Sequence, residues 1–322
     1  MHARPLAAAW CAAAGALLLA LQGATASAAT SYPVTYRFPD GIAANANNPT
    51  GSPPGANNWS CKPSRAHPRA VVLVHGLMGT MQDNWQTMAP LLANNGYCVF
   101  ALTYGTENNN PYFGGLIDME TSAQQLKAFV QRVLSATGTS KVDLVGHSEG
   151  TVMPRYWMEF LGGARYVHTY VMFTPIWHGT EFFGAAVLQS LAYEYVPGYG
   201  KQSESFWDSR CGSCPEFLTG SPFMRKLNSR GFALPGVTYL DVMTRYDELV
   251  QPYTSGYVAA PNVTNVVLQD QCALDGTDHA TVAYDPTAAQ DMLNALDPAH
   301  AKPVPCVPVV AGYGALYPPP SS

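Results

Sequence analysis

Six apolar runs rich in β-branched residues recur along the chain at 70–76, 97–105, 141–148, 166–175, 237–247 and 263–270. Runs of this continuous kind suit strands covered on both faces, as in a parallel sheet. Helix-like stretches separate them at 84–95, 118–137, 149–161 and 286–296. Strand and helix thus alternate at the spacing of βαβ units. The pattern predicts an α/β fold, a mostly parallel doubly wound sheet with helices on both faces, whose site lies at the carboxyl ends of the strands.

The flanks read differently. Residues 1–28 open with a basic segment, continue through an apolar run and reach Ala26-Ser27-Ala28, the pattern of a secretory signal peptide. That run is shorter than the roughly 20 residues a spanning helix needs, so cleavage and secretion, extracellular or periplasmic, are expected, with no transmembrane segment left behind. Residues 29–68 are rich in Asn, Gly, Pro and Ala and read as an irregular lead-in, ahead of one large domain at 69–298. Within it, 177–234 interrupts the alternation with Gly, Ser and many aromatics, a long connection expected to act as a cap, lid or substrate-binding insertion. A Pro-rich tail, 299–322, ends in YPPPSS.

Composition narrows the partners. With a net charge of -5 and only 12% charged residues, the chain has no basic footprint for nucleic acid. Export would place Cys61, Cys98, Cys211, Cys214, Cys272 and Cys306 in an oxidising compartment, where an even set favours disulfides. A local Cys211–Cys214 bridge is expected, with Cys61 to Cys98 and Cys272 to Cys306 as the other pairs. A lone C-x-x-C with no second pair or histidine set nearby argues for no metal.

The candidate chemistry centres on LVGHSEG, 144–150. A G-x-S-x-G pentapeptide arises by chance in about one chain in ten of this length, so its context has to carry the argument. Here it follows a predicted strand and opens a predicted helix, the setting of a nucleophile elbow, in which Gly146 and Gly150 relieve a sharp turn that lifts Ser148 at the sheet edge. A serine hydroxyl needs a base, and the base an acid. His279, in a loop after the last strand, suits the base better than His168, His178 or His300. Asp247, at a strand end, suits the acid better than Asp241, Glu248 or Asp278. Oxyanion donors are expected from the backbone N–H groups of Leu77, in LVHGLMG, and Glu149. Only the N–H of Glu149 has to face the oxyanion, so its carboxylate is expected to turn away toward a partner, with Arg155 the candidate.

Several blocks together, VVLVHGLMGTMQDNWQTMAPLLANNGYCVFALTYG, LVGHSEGTVMPRYWMEFLGG, TPIWHGT, TRYDELVQPYTS and NVTNVVLQDQCALDGTDHATVAYDP, resemble the secreted bacterial class 2 lipases, triacylglycerol lipases and esterases of the α/β-hydrolase superfamily. The resemblance implies the α/β-hydrolase fold and hydrolysis of small-molecule or lipid esters, including at a lipid–water interface, with no cofactor. It implies Ser148, Asp247 and His279 as the triad, with Leu77 and Glu149 as oxyanion donors. Two positions depart from the usual pattern: Glu149 stands where Gln or Met is common, and Thr151 where a second glycine is. The rival readings are an acyltransferase using the same triad and a catalytically silent protein of this fold that binds lipid.

Overall fold

The computed structural model describes residues 1–2, 31–182 and 210–319. The expected leader, 1–28, lies outside them apart from its first two residues. So do most of the interrupting region, 183–209, and the chain end, 320–322. Residues Ser31–Ser322 form one compact unit.

All six apolar runs form strands: β1 (Ala70–Val74), β2 (Val99–Leu102), β3 (Val142–His147), β4 (Val167–Phe173), β5 (Thr238–Met243) and β6 (Val263–Val267). They make one sheet in the order β2-β1-β3-β4-β5-β6, every pairing parallel. Continuous apolar sequence follows from burial on two sides. Alternate residues of β1 face opposite ways, so Val72 and Val74 join one core with Leu126, Val130 and Trp157, while Val71 and Leu73 join the other with Met88, Leu92 and Met292. Every residue of β1, β2 and β3 is buried. Removing one such side chain to alanine would cost about 2–5 kcal/mol. Edge strand β6 is only half-buried, which matches its polar Thr264 and Asn265.

The helices deviate in instructive ways. The lead-in is not wholly irregular: α1 (Phe38–Asn47) starts with proline in its first turn and packs on α2 (Met81–Asn84). The expected helix at 84–95 is instead two, α2 and α3 (Met88–Asn94). Thr80 begins α2 early through a capping box, accepting from Gln82 and Asp83 N–H groups while Asp83 Oδ1 accepts the Thr80 N–H at 2.8 Å. Helix α4 (Met119–Thr137) runs from an Asp118 cap to a left-handed Gly138, and α5 (Met153–Phe160) follows a short 3-10 turn, Ser148–Thr151. The helix Pro286–Leu296 has the expected bounds.

Three disulfides pair Cys61 with Cys98, Cys211 with Cys214 and Cys272 with Cys306, as expected. The last ties down the C-terminal segment, which forms a small hairpin, Val309–Val310 with Gly314–Ala315, before its proline end. Among the described residues no helix is long and apolar enough to cross a membrane.

Candidate active site

The carboxyl ends of β1, β3 and β5 gather the residues singled out by sequence. β3 ends at His147, and Ser148 takes φ 54, a left-handed conformation that L side chains rarely adopt. The two glycines make this turn possible. A Cβ on Gly146 would stand 1.9 Å from Gly150 O, and one on Gly150 would stand 2.1 Å from Val74 O. Thr151, which stands where a second glycine is common in the lipases the sequence resembles, has a hydroxyl that donates to Ser148 O at 2.6 Å and accepts the Ile176 N–H at 3.2 Å.

Asp247 lies in the turn after β5, and His279 in the loop that follows Leu268–Gln271. His279 Nδ1 stands 2.9 Å and 3.1 Å from the two carboxylate oxygens of Asp247. Asp247 Oδ1 also accepts the N–H groups of Leu249 (2.9 Å) and Val250 (2.7 Å). The carboxylate is therefore buried but well supplied with donors. Burial disfavours the imidazolium, yet the charge and hydrogen bond of Asp247, helped by Glu248 and Asp278, outweigh it and raise the His279 pKa above its ordinary 6.5.

Ser148, His279 and Leu77 line one cavity of about 560 Å³, whose walls include Met78, Ile176, Phe217, Leu218, Leu249 and Val250. The described flanks of the interrupting region contribute to it through Thr180, Phe182, Cys214, Pro215, Phe217 and Leu218. None of the rival histidines does. His168 and His300 stand beside Asp143 and Asp297, and His178 contacts Tyr257 O. Among the rival acids, Asp241 accepts from Trp177 Nε1 at 2.6 Å and Glu248 accepts the His279 N–H at 3.2 Å.

Two residues emerge that the motifs did not flag. Asn84 Oδ1 accepts the Gly76 N–H at 3.0 Å and sits 3.0 Å from His147 Nδ1. His147 in turn places Nε2 2.9 Å from His279 O. Burial, with His279 nearby, pushes the His147 pKa down to about 3, so the ring is neutral and donates at one of these two contacts. Asn84 and His147 thereby connect the Leu77 turn, the elbow and the His279 loop. The only sequence signal was the Thr80-x-x-Asp83 cap that fixes where α2 begins.

The Glu149 carboxyl does turn away from the elbow, but not to Arg155. Arg155 stacks on Trp177, 4.2 Å from the ring centre, and donates to Asn228 Oδ1 at 2.7 Å. Glu149 is fully buried against Gly115, where a Cβ would come within 3.1 and 3.2 Å of its two oxygens. Among the described residues, neither oxygen has a hydrogen-bond partner in good geometry. Burial drives its pKa up to about 8, against the smaller opposing pull of the Tyr104 and Ser213 hydroxyls beside it. Each of those hydroxyls is already committed to a carbonyl, Tyr104 to His75 O (2.9 Å) and Ser213 to Gly115 O (2.5 Å).

Known proteins resemble the chain in sequence and in fold. Triacylglycerol lipases of Pseudarthrobacter phenanthrenivorans and Burkholderia plantarii are each 35% identical to the chain over 91 residues, 27% of its length. Those stretches span 27% and 24% of the two relatives' own lengths. The crystal structure of Aspergillus fumigatus lipase B superposes with a TM-score of 0.54 at 17% identity, covering 79% of this chain and 56% of that one, a likeness of α/β-hydrolase fold. Residues 68–292 match the family described as Lipase (class 2), and because that match takes in the whole sheet together with Ser148, Asp247 and His279, the chain belongs to the class 2 lipases.

Proposed function

We propose that the protein is a secreted serine hydrolase that cleaves carboxylic esters through an acyl-enzyme on Ser148. The observation that carries this reading is the convergence of an elbow serine and a hydrogen-bonded Asp247–His279 pair on one apolar cavity. With Nδ1 held by Asp247, His279 presents Nε2 as the base. It takes the proton from Ser148 as Oγ bonds to the ester carbonyl carbon, and the backbone N–H groups of Leu77 and Glu149 receive the oxyanion. Collapse of the tetrahedral species expels the alcohol, which His279 protonates. Water, deprotonated by His279, then adds to the acyl carbon and frees the acid and Ser148.

The cavity wall favours an acyl chain over a polar group. Ile42, Met78 and Leu249, which also line it, are 48%, 55% and 38% exposed, an apolar rim suited to substrate drawn from a lipid–water interface. Together with the triacylglycerol lipase activity of the relatives, this points to triacylglycerols and related lipid esters as substrates. Three disulfides agree with an exported protein.

Fluorophosphonate labelling with the wild type and Ser148→Ala tests the mechanism. The wild type should be labelled on Ser148 and lose p-nitrophenyl ester hydrolysis in step, while Ser148→Ala should take no label and keep its fold. A serine variant that still turns over near the wild-type rate would end this reading. An ester ladder from acetate to oleate, with triolein emulsion, then places the substrate.

A further inference from the structure

Glu149 sits where four segments meet. The elbow supplies the residue itself. The turn after β1 brings His75, whose ring stacks on Tyr104 with centroids 4.3 Å apart, and Leu77, whose Cα a Cβ on Gly115 would approach to 3.2 Å. The loop after β2 brings Tyr104 and Gly115, joined by Gly115 N–H to Tyr104 O at 2.8 Å, and the adjacent Gly114 N–H reaches Gly79 O at 2.9 Å. The disulfide loop brings Ser213, bonded to Gly115 O. The carboxyl thus touches the frame that fixes the Leu77 turn against Ser148.

Among the described residues, little around it suits a carboxylate. A charged carboxylate needs several donors, whereas a neutral acid needs one acceptor for its proton. The hydroxyls beside it have given their protons to carbonyls and keep lone pairs free. Of the ionisable side chains packed nearest, His75 is pushed to about 4 by burial, and the Tyr104 and Tyr170 phenols are raised well above their ordinary 10, so these three are uncharged at neutral pH. Among the described residues, no lysine or arginine is a cause of its shift. Behind the disulfide loop, Glu216 accepts the Met119 N–H and is raised by burial to about 9, beside Glu120 and Asp118.

We propose that the Glu149 side chain is a positioning group for ester cleavage, acting as a neutral acid that lets the elbow, the Leu77 turn and the Cys211–Cys214 loop close around the oxyanion site, and that loss of its proton slows turnover. The ionised form would lack donors in its pocket, and it would set a negative charge one side chain away from the N–H that receives the oxyanion. The proposal rests on the reading of Ser148 as nucleophile.

The test is the pH profile of kcat and KM on a soluble p-nitrophenyl ester for wild type, Glu149→Gln, Glu149→Ala and Glu216→Gln, each normalised by fluorophosphonate titration and checked for reversal at pH 7. The wild type should lose about tenfold in kcat on the alkaline side, around and above pH 8. At pH 7, Glu149→Ala should lower kcat about tenfold with KM little changed, a smaller loss than removing an oxyanion donor outright. Glu149→Gln should recover most of that loss and flatten the alkaline limb, while Glu216→Gln should keep the limb. A wild-type profile flat from pH 7 to 10 would overturn the proposal without any variant. So would a limb that persists in Glu149→Gln or disappears in Glu216→Gln. If the wild type takes no fluorophosphonate, the serine-hydrolase reading itself fails; if it is labelled and the profile is flat, only the role of Glu149 does.

Discussion

Asp247 and Glu149 are both carboxyl groups buried within the site, and their surroundings treat them in opposite ways. Asp247 receives two backbone N–H groups and the His279 ring, so its charge is compensated on every side and in turn raises the imidazole pKa. Glu149 has, among the described residues, no hydrogen bond in good geometry and only the smaller pull of the Tyr104 and Ser213 hydroxyls, so burial raises its pKa to about 8. Burial is common to the two; the supply of donors differs. What a buried carboxyl does is therefore set by the N–H and O–H groups the fold aims at it, not by its depth.

The largest expected effect breaks the Asp247 side of this contrast. Asp247→Asn keeps the shape but offers the wrong hydrogen-bond sense to Nδ1, and should lower kcat by about 10⁴-fold with the fold intact, as steady-state kinetics and circular dichroism would show. A loss below tenfold would mean that His279 is oriented by something else, with Glu248 the next acid to mutate. Next in size is the acid limb of the wild-type profile. The base must be neutral, and because its pKa is raised, activity should be lost as pH falls through a value above 6.5. A limb below 6.5 would show that burial outweighs Asp247.

A third prediction concerns the link between the two regions. Asn84→Ala removes the acceptor for the Gly76 N–H, leaving it buried and unpaired, at a cost of about 1–3 kcal/mol. It should lower both Tm and kcat, since the Leu77 turn and the His279 loop both lean on this contact through His147. Thermal melts and kinetics on one preparation would check that the two fall together.

The sheet was legible because strands buried on both faces must be apolar throughout, and β1 to β5 write that constraint plainly. Ser148, Asp247 and His279 were legible because each stands at a strand end or beyond it, where chain order and turn chemistry limit the choice. Asn84 and the Glu149 pocket were not. Asn84 acts through a helix start displaced by the Thr80 cap, and local periodicity places that helix later. The Arg155 expectation failed for a related reason: Glu149 lies in the 3-10 turn and Arg155 in α5 just after it, but Trp177 and Asn228 come from elsewhere in the chain and draw the guanidinium away. Which acid meets which donor is decided by tertiary contacts that leave no spacing in the sequence. Helix α1 escaped notice likewise, since its Gly and Asn are weak helix formers and packing on α2 supplies what propensity lacks.

The smallest expected effect concerns stability and again separates the two carboxyls. Glu149 is held near 8 in the folded chain and returns to its ordinary 4.5 when unfolded. Between those values the unfolded chain has released the proton and the folded chain still holds it. The stability contributed by the neutral acid is therefore fully present below pH 4.5 and is lost as pH rises through about 8. Asp241 and Asp285, also raised to about 8 by burial, add losses of the same sign, so the wild-type trend alone would not isolate one group. The difference between wild type and Glu149→Gln does, because glutamine does not titrate while the other carboxyls cancel. The Tm of Glu149→Gln relative to wild type should climb from pH 5 to pH 8, with each kcal/mol worth about 2–4 °C in a domain of this size. A difference that stays constant over that range would mean that Glu149 carries the same charge folded and unfolded, and the contrast with Asp247 would collapse.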